Sequence, residues 1–272
     1  MCQSSLLRIR PTVLGPAAII FLFAFFGTAL AQQAEGDSLK QANNPLATFR
    51  SINFHNYYTP EISGSDDTSN AFWMRFSQPL DMFGGSWLIR ASLPLLRSTL
   101  ASGDTASGLG DSNVFATYLF DTGNPSISFG VGPILGLPTA TGDIPSNDQW
   151  SAGVASIFFD SRSHVFQWGG ILTYQHGFGS SGSGNNTNIL ALQPILMLQL
   201  GGGYYLRSVG IWQFDLESNN YNVPIGMGIG RVIKTQKTVL NFFVEPQFTV
   251  MSHGAGQPEL QLFFGFNTQF VF

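Results

Sequence analysis

Charge is what this sequence has least of. Asp, Glu, Lys and Arg together make up 10% of its 272 residues, against about a quarter in an average soluble domain. Lysine is almost absent. A chain so poor in charge cannot clothe a water-exposed surface in the usual way. Cysteine is missing too, apart from Cys2. That residue lies ahead of an apolar leader rather than at a cleavage point, so it is not a lipid-attachment cysteine, and losing it excludes disulfide and thiolate chemistry. Long apolar runs are absent after residue 31, which excludes a spanning helix in the rest of the chain. Excess basic charge is absent as well. Cleavage of the leader removes Arg8 and Arg10 and leaves a net charge of −6, which argues against nucleic acid as a partner.

What is abundant is phenylalanine (25) and glycine (31). Residues 1–31 read as a signal peptide: Arg8 and Arg10, the apolar stretch "AAIIFLFAFFGTAL", then Ala29-Leu30-Ala31 as a small-x-small cleavage site. An uncleaved anchor over Val13 to Ala31 is the rival, and Pro16 inside the run counts against it. Residues 32–47 form a periplasmic N-terminal segment. Within it Gly36 to Asn43 suits a short polar helix starting near Asp37 or Ser38, either a plug in the lumen or a tail at its mouth.

From residue 48 to 272 one unit repeats. Roughly ten to thirteen residues alternate apolar with small or polar, and Gly, Asn, Asp, Ser or Pro breaks the run. Twelve stretches result: 48–57, 71–80, 86–96, 111–120, 126–138, 149–159, 165–176, 188–200, 203–214, 221–233, 239–251 and 259–272. Long connectors such as "YTPEISGSDDTSN" and "STLASGDTASGLG" alternate with short ones such as "DMFGG" and "KTQK". The pattern predicts an all-β, transmembrane antiparallel up-and-down β-barrel of about 12 strands, with short periplasmic turns and longer extracellular loops. A membrane surface built from strands reconciles low charge with the absence of a spanning helix.

Parity assigns the faces. In 239–251, Leu240, Phe242, Val244, Pro246, Phe248 and Val250 share the lipid side, while Asn241, Glu245, Gln247 and Thr249 dominate the other. Trp87, Trp150, Trp168, Trp212, Tyr57, Tyr118, Tyr174 and Tyr221 fall near strand ends, where interfacial girdles sit. The chain closes on "QLFFGFNTQFVF". Apolar bulk is unusual at a chain end unless something holds it. A last strand that pairs with the first would do so, with Phe264, Phe266, Phe270 and Phe272 facing lipid as an assembly signal and Thr268 the weak position.

Four mid-strand ionisable residues oppose the apolar face in parity: Arg75, Arg90, Arg207 and Glu245. A charge at membrane depth is costly unless it meets water or a partner, so these point inward, joined by Gln193 and Gln247. They suit a selectivity lining. The competing role is a structural ion-pair and hydrogen-bond cluster that fills a narrow barrel. Phe115, Leu119, Met197 and Phe243 add apolar surface to the same lumen. Most acids, among them Asp66, Asp67, Asp104, Asp111, Asp143, Asp148, Asp215, Glu217 and Glu259, fall in or beside the outer loops, where solvated loop surface competes with cation attraction. His55, His164, His176 and His253 lack metal-ligand spacing, and no nucleophile elbow or phosphate loop is present. "GMGIG" (226–230) reads as small residues on one strand face. No catalytic residue, metal or cofactor is expected, and the protein is not expected to be an enzyme.

"LKQANNPLATFRSINF", "ASLPLL", "SGLGDSNVFATYLF", "GVGPILGLPTATGD", "WSAGVASIFF" and "VPIGMGIGRVIK" together resemble a family of bacterial outer-membrane transporters that often carries the misleading label "neuromedin U". It is similar to the outer-membrane family labelled as a pathway of phenol degradation. The resemblance covers essentially the whole mature chain. It implies an outer-membrane barrel and passage of small solutes, aromatic ones included, and it supplies no binding residues. The expectation is a channel or transporter for passive passage of small, aromatic or moderately apolar solutes in the outer membrane of a Gram-negative bacterium. Its expected partners are outer-membrane lipid and lipopolysaccharide, the barrel-assembly machinery and a small-molecule solute. The alternatives are a structural or surface-interaction barrel with a sealed lumen and, less favoured, an outer-membrane lipid-modifying enzyme.

Overall fold

The computed structural model describes residues 41–99, 103–179 and 186–270. The signal-peptide assignment, the proposed helix start at Asp37 or Ser38 and Phe272 lie outside them. Fifteen strand segments follow in chain order. They are β1 (Arg50–Ile62), β2 (Ser69–Met82), β3 (Gly85–Thr99), β4 (Thr105–Leu109), β5 (Ser112–Phe120), β6 (Ile127–Leu137), β7 (Trp150–Asp160), β8 (Phe166–Phe178), β9 (Asn188–Gly201), β10 (Tyr204–Ser208), β11 (Trp212–Asp215), β12 (Asn220–Gly226), β13 (Gly228–Lys234), β14 (Thr238–His253) and β15 (Pro258–Phe270). β10 and β11 are two lengths of one stave, as are β12 and β13, and β4 is an arm paired only with the far end of β3. The rest is a closed antiparallel barrel of twelve staves. β15 pairs with β14 on one side and with β1 on the other, from Arg50↔Phe270 to Ile62↔Pro258.

Closure explains the apolar chain end. Phe264 and Phe266 point outward from β15. The Phe266 ring stacks on Phe54 of β1 at 6.2 Å and on Phe242 of β14 at 4.7 Å. With Phe72 stacked on Phe54, a row of rings crosses four neighbouring staves over the join. Phe270 sits at the rim between Arg50 and Thr238.

One end of the barrel carries tight turns and the other longer loops. At the turn end Phe83 (φ 52°) and Gly84 (φ 74°) form a two-residue hairpin with both central residues left-handed, a geometry that matches strand twist. At the loop end two connectors clasp each other. Asp111 accepts the Thr139 and Ala140 N–H groups, each at 3.1 Å, and the Ser146 hydroxyl at 2.6 Å. Thr141 N–H donates to the Leu109 carbonyl at 3.0 Å. Thus "GLGD" and "PTATGD", far apart in sequence, meet as one built unit, and Asp111 is a structural acid.

Outward positions form an apolar band: Met74, Phe76, Leu93, Leu95, Leu172, Leu196, Leu198 and Ile229 are all exposed. Such a surface is stable only against lipid. Aromatics flank it, with Trp87, Tyr118 and Trp168 towards the turn end and Trp150, Trp212 and Tyr221 towards the loop end. Tyr57 departs from the expected girdle. β1 continues past Tyr57 to Ile62, over Pro60 and a register shift, so Tyr57 lies within the stave. It is 8% exposed, inward, with its ring stacked 4.1 Å from that of Phe263.

The interior serves as the core. Leu88, Phe115, Ile134, Ile157, Phe159, Ile195, Met197 and Tyr205 point inward and are buried. Residues 42–47 lie among them. Asn44 donates to Ser128 Oγ of β6 at 2.9 Å. On the facing wall Asn241 of β14 donates to Asn43 Oδ1 at 3.0 Å, and Gln269 of β15 donates to the Ala42 carbonyl at 3.1 Å. Leu46, 2% exposed, settles over Gly130, where an added Cβ would lie 3.4 Å from Leu46 Cδ2. The segment therefore bridges opposite walls of the interior, near the turn end.

Candidate functional site in the barrel interior

A belt of charged and aromatic side chains crosses the interior beyond that segment. Arg207 of β10 donates from Nε to Glu245 Oε2 of β14 at 2.7 Å, with both side chains buried. Its guanidinium lies 3.5 Å from the centroid of Phe243 and 5.2 Å from that of Phe263. The other Glu245 oxygen accepts the Val209 N–H at 2.8 Å and the Gln247 amide at 3.0 Å. Gln193 donates to the Val209 carbonyl at 3.1 Å. Val209 falls in the break between β10 and β11, where Glu245 and Gln193 take its N–H and its carbonyl. An unpaired backbone group at this depth costs several kcal/mol.

The three glycines of "GMGIG" make room for this arrangement. Gly226, Gly228 and Gly230 all face inward. An added Cβ would lie 2.1 Å from Glu245 Oε1 at Gly226, 2.6 Å from Glu245 Cβ at Gly228 and 2.3 Å from the Tyr205 ring at Gly230. Tyr205, fully buried, donates to Asn241 Oδ1 at 2.7 Å.

Arg75 and Arg90 are placed differently. Arg75 of β2 bonds His55 Nδ1 and lies 4.8 Å from the Trp73 centroid. A guanidinium only donates, so Nδ1 accepts, and the His55 Nε2–H donates to Asn267 Oδ1 at 2.8 Å. Arg90 of β3 sits 4.4 Å over the Phe115 ring, and its Nε is buried without a hydrogen-bond partner. Neither arginine forms an ion pair among the described residues. Within the belt, three arginines thus face one carboxylate, and both oxygens of that carboxylate are engaged.

The belt divides the interior. On the loop side lies a cavity of about 420 Å³ with Tyr57, Trp73 and Arg75 at its base and Ile189, Ile211 and Gln213 among its walls. On the turn side lies a chamber of about 130 Å³ between the belt and residues 42–47, bordered by Arg90, Arg207 and Asn43.

All six interior candidates from the sequence therefore face inward, but not in one role. Glu245, Gln193 and Gln247 are tied to the Val209 break, and Arg207 to Glu245. Arg75 and Arg90 offer charge to the cavities. Parity did not reveal His55, Trp73, Tyr205 or Phe263. The alternation "Ser51, Asn53, His55" marks the inward side of β1, and extending it would have found His55 and Tyr57.

Fold comparison agrees with this architecture. An outer-membrane channel from Pseudomonas putida F1 superposes with a TM-score of 0.62 at 13% identity, covering 84% of this chain and 98% of that one. The fold is that of an outer-membrane β-barrel. The NanC porin superposes with a TM-score of 0.52 at 8% identity over 82% of this chain and all of its own, and the transport unit of the Escherichia coli autotransporter AIDA-I with 0.50 at 10% over 88% and 97%. No family model matches the chain, and no curated protein matches it in sequence.

Proposed function

We propose that the protein is a channel of the Gram-negative outer membrane for passive passage of small solutes, with anions favoured and a moderately apolar body accepted. The observation that carries the reading is the interior itself: two cavities in line, separated by a belt whose arginines outnumber its carboxylates. An uncompensated cation in a low-dielectric passage attracts anions and repels cations. Trp73, Tyr57 and Ile211 beside Arg75 give the outer cavity apolar walls, and this supports aromatic or moderately apolar solutes over sugars. The loop end faces the cell exterior and the turn end the periplasm, with the apolar band in contact with outer-membrane lipid and the clasped loops level with lipopolysaccharide. Export by the 1–31 signal peptide and recognition of the terminal Phe residues by the barrel-assembly machinery complete the reading. The fold shared with an outer-membrane channel is consistent with it.

Single-channel conductance of refolded protein in a planar bilayer tests the proposal, with Arg75→Ala, Arg90→Ala and Arg207→Ala in parallel. The expected result is steady conductance whose reversal potential in a salt gradient reports anion preference and moves towards cations in the variants. A silent bilayer, with folding confirmed by heat-modifiable mobility, would overturn passage. It would favour a sealed structural barrel, a reading to which the bridge formed by residues 42–47 lends support.

A further inference from the structure

The chamber on the turn side holds more positive charge and more donors than its own side chains can answer. Arg90 presents a buried Nε without a partner, and Asn43 a buried Nδ2 without one. Asn43 Oδ1 accepts from Asn241, which leaves Nδ2 as the unpartnered atom of that amide. Both residues border the same cavity of about 130 Å³, with Arg207 on the same lining. Glu245 offers this space nothing further, since one oxygen is bonded to Arg207 and the other to Val209 and Gln247. Waters in the cavity would meet these donors and the unpartnered Gln269 Oε1. Water leaves the charge of Arg90 unanswered, however. Arg90 is half-buried with its Nε cut off from solvent, and a mobile counter-ion answers such a partly desolvated charge better than water does.

We propose that this chamber is a binding site for one small monovalent anion, held beside Arg90 with the Asn43 amide as second donor. The volume sets the class. A halide or a formate-sized carboxylate fits with a few waters, whereas an aromatic acid belongs to the larger cavity on the other side of the belt. The inference deepens the reading of the interior as an anion-favouring passage, but occupancy of the chamber does not require transit. Residues 42–47 close over the anion, so the same ion that neutralises Arg90 also ties the segment to the wall through Asn43.

Bromide is the probe, used with the full refolded chain. Crystals soaked in bromide should show an anomalous peak in the chamber against Arg90, absent in Arg90→Gln. In solution, at constant ionic strength, replacing a large anion such as gluconate with bromide should raise the unfolding midpoint of the wild type. Arg162→Gln, a change at an exposed turn, should keep that response. Arg90→Gln should need about tenfold more bromide for it, the loss of one charge-assisted hydrogen bond. If Arg90→Gln fails to fold, Asn43→Ala serves as the second variant and should weaken the response in the same direction. Bromide peaks at surface arginines with an empty chamber, or an unchanged response in the variants, would overturn the site. A conducting barrel with an empty chamber removes the site and keeps the passage, and a peak in a silent barrel does the reverse.

Discussion

On the loop side of the arginine belt the interior is a cavity of about 420 Å³, and on the turn side a chamber of about 130 Å³. The same twelve staves enclose both, so barrel diameter does not account for the difference. Occupancy does. Near the turn end residues 42–47 enter, and Leu88, Phe115, Ile195 and Met197 fill the wall around them. Near the loop end the inward positions carry amides and shorter side chains such as Ala71, Gln213 and Gln261. The charges divide in the same way: Arg75 borders the outer cavity, Arg90 the inner, and Arg207 is neutralised between them by Glu245. A narrow barrel can therefore keep one compartment wide and another tight through a single inserted segment and a few side-chain volumes.

The divide should break most severely at Glu245. Glu245→Ala leaves Arg207 buried without a carboxylate and Val209 N–H without an acceptor. The expected cost is about 3–5 kcal/mol, measured as urea midpoints on lipid-refolded protein. Arg207→Met combined with Glu245→Met should recover much of it, since an apolar pair often replaces a buried ion pair without loss.

Next in size is the inserted segment. Deleting residues 41–47 should merge the inner chamber with the solvent at the turn end and raise unitary conductance several-fold while the barrel stays heat-modifiable. An unchanged conductance would place the resistance in the belt instead. The two unneutralised arginines should then separate the compartments by chemistry. Arg75→Ala should weaken block by aromatic carboxylates added on the loop side, whereas Arg90→Ala should leave that block intact. The block and its dependence on Arg75 should fade between 0.1 and 1 M salt, as the screening length falls from about 10 Å to about 3 Å. The smallest effect is expected outside the compartments altogether. Phe266→Leu removes two stacked ring pairs on the lipid face and should cost about 0.5–1.5 kcal/mol with selectivity unchanged.

The twelve staves and their faces were legible because alternation has a period of two and one side must meet lipid. Arg75, Arg90, Arg207 and Glu245 were legible as inward for the same reason. Their pairing was not. Arg207 meets Glu245 across one intervening stave, and nothing local distinguishes it from Arg90, which meets none. Tyr57 was misplaced because "YTPEISGS" reads as loop, whereas the strand runs on through Pro60 at a register shift and puts Tyr57 mid-stave. The arm β4 was invisible because its sequence, "TASGL", is short and Gly-containing, and it is held by the far end of β3 rather than by its own alternation. "GMGIG" was readable as small but not as necessary; the reason lies in Glu245 and Tyr205, which need the space.

The break at Val209 has a mechanical consequence. Elsewhere the wall is held mainly by backbone bonds, including at the register shifts in β1 and β12 and at Met227, whose N–H meets the Pro246 carbonyl. At the break between β10 and β11 the wall is fastened by side chains: Glu245 and Gln193 on Val209 within, and the Trp212 indole on the Pro224 carbonyl at 3.1 Å. Side-chain fasteners rotate where ladder bonds shear. A shift at this break would therefore move Arg207 and Glu245, and with them the divider between the compartments, without the loss of any strand pair.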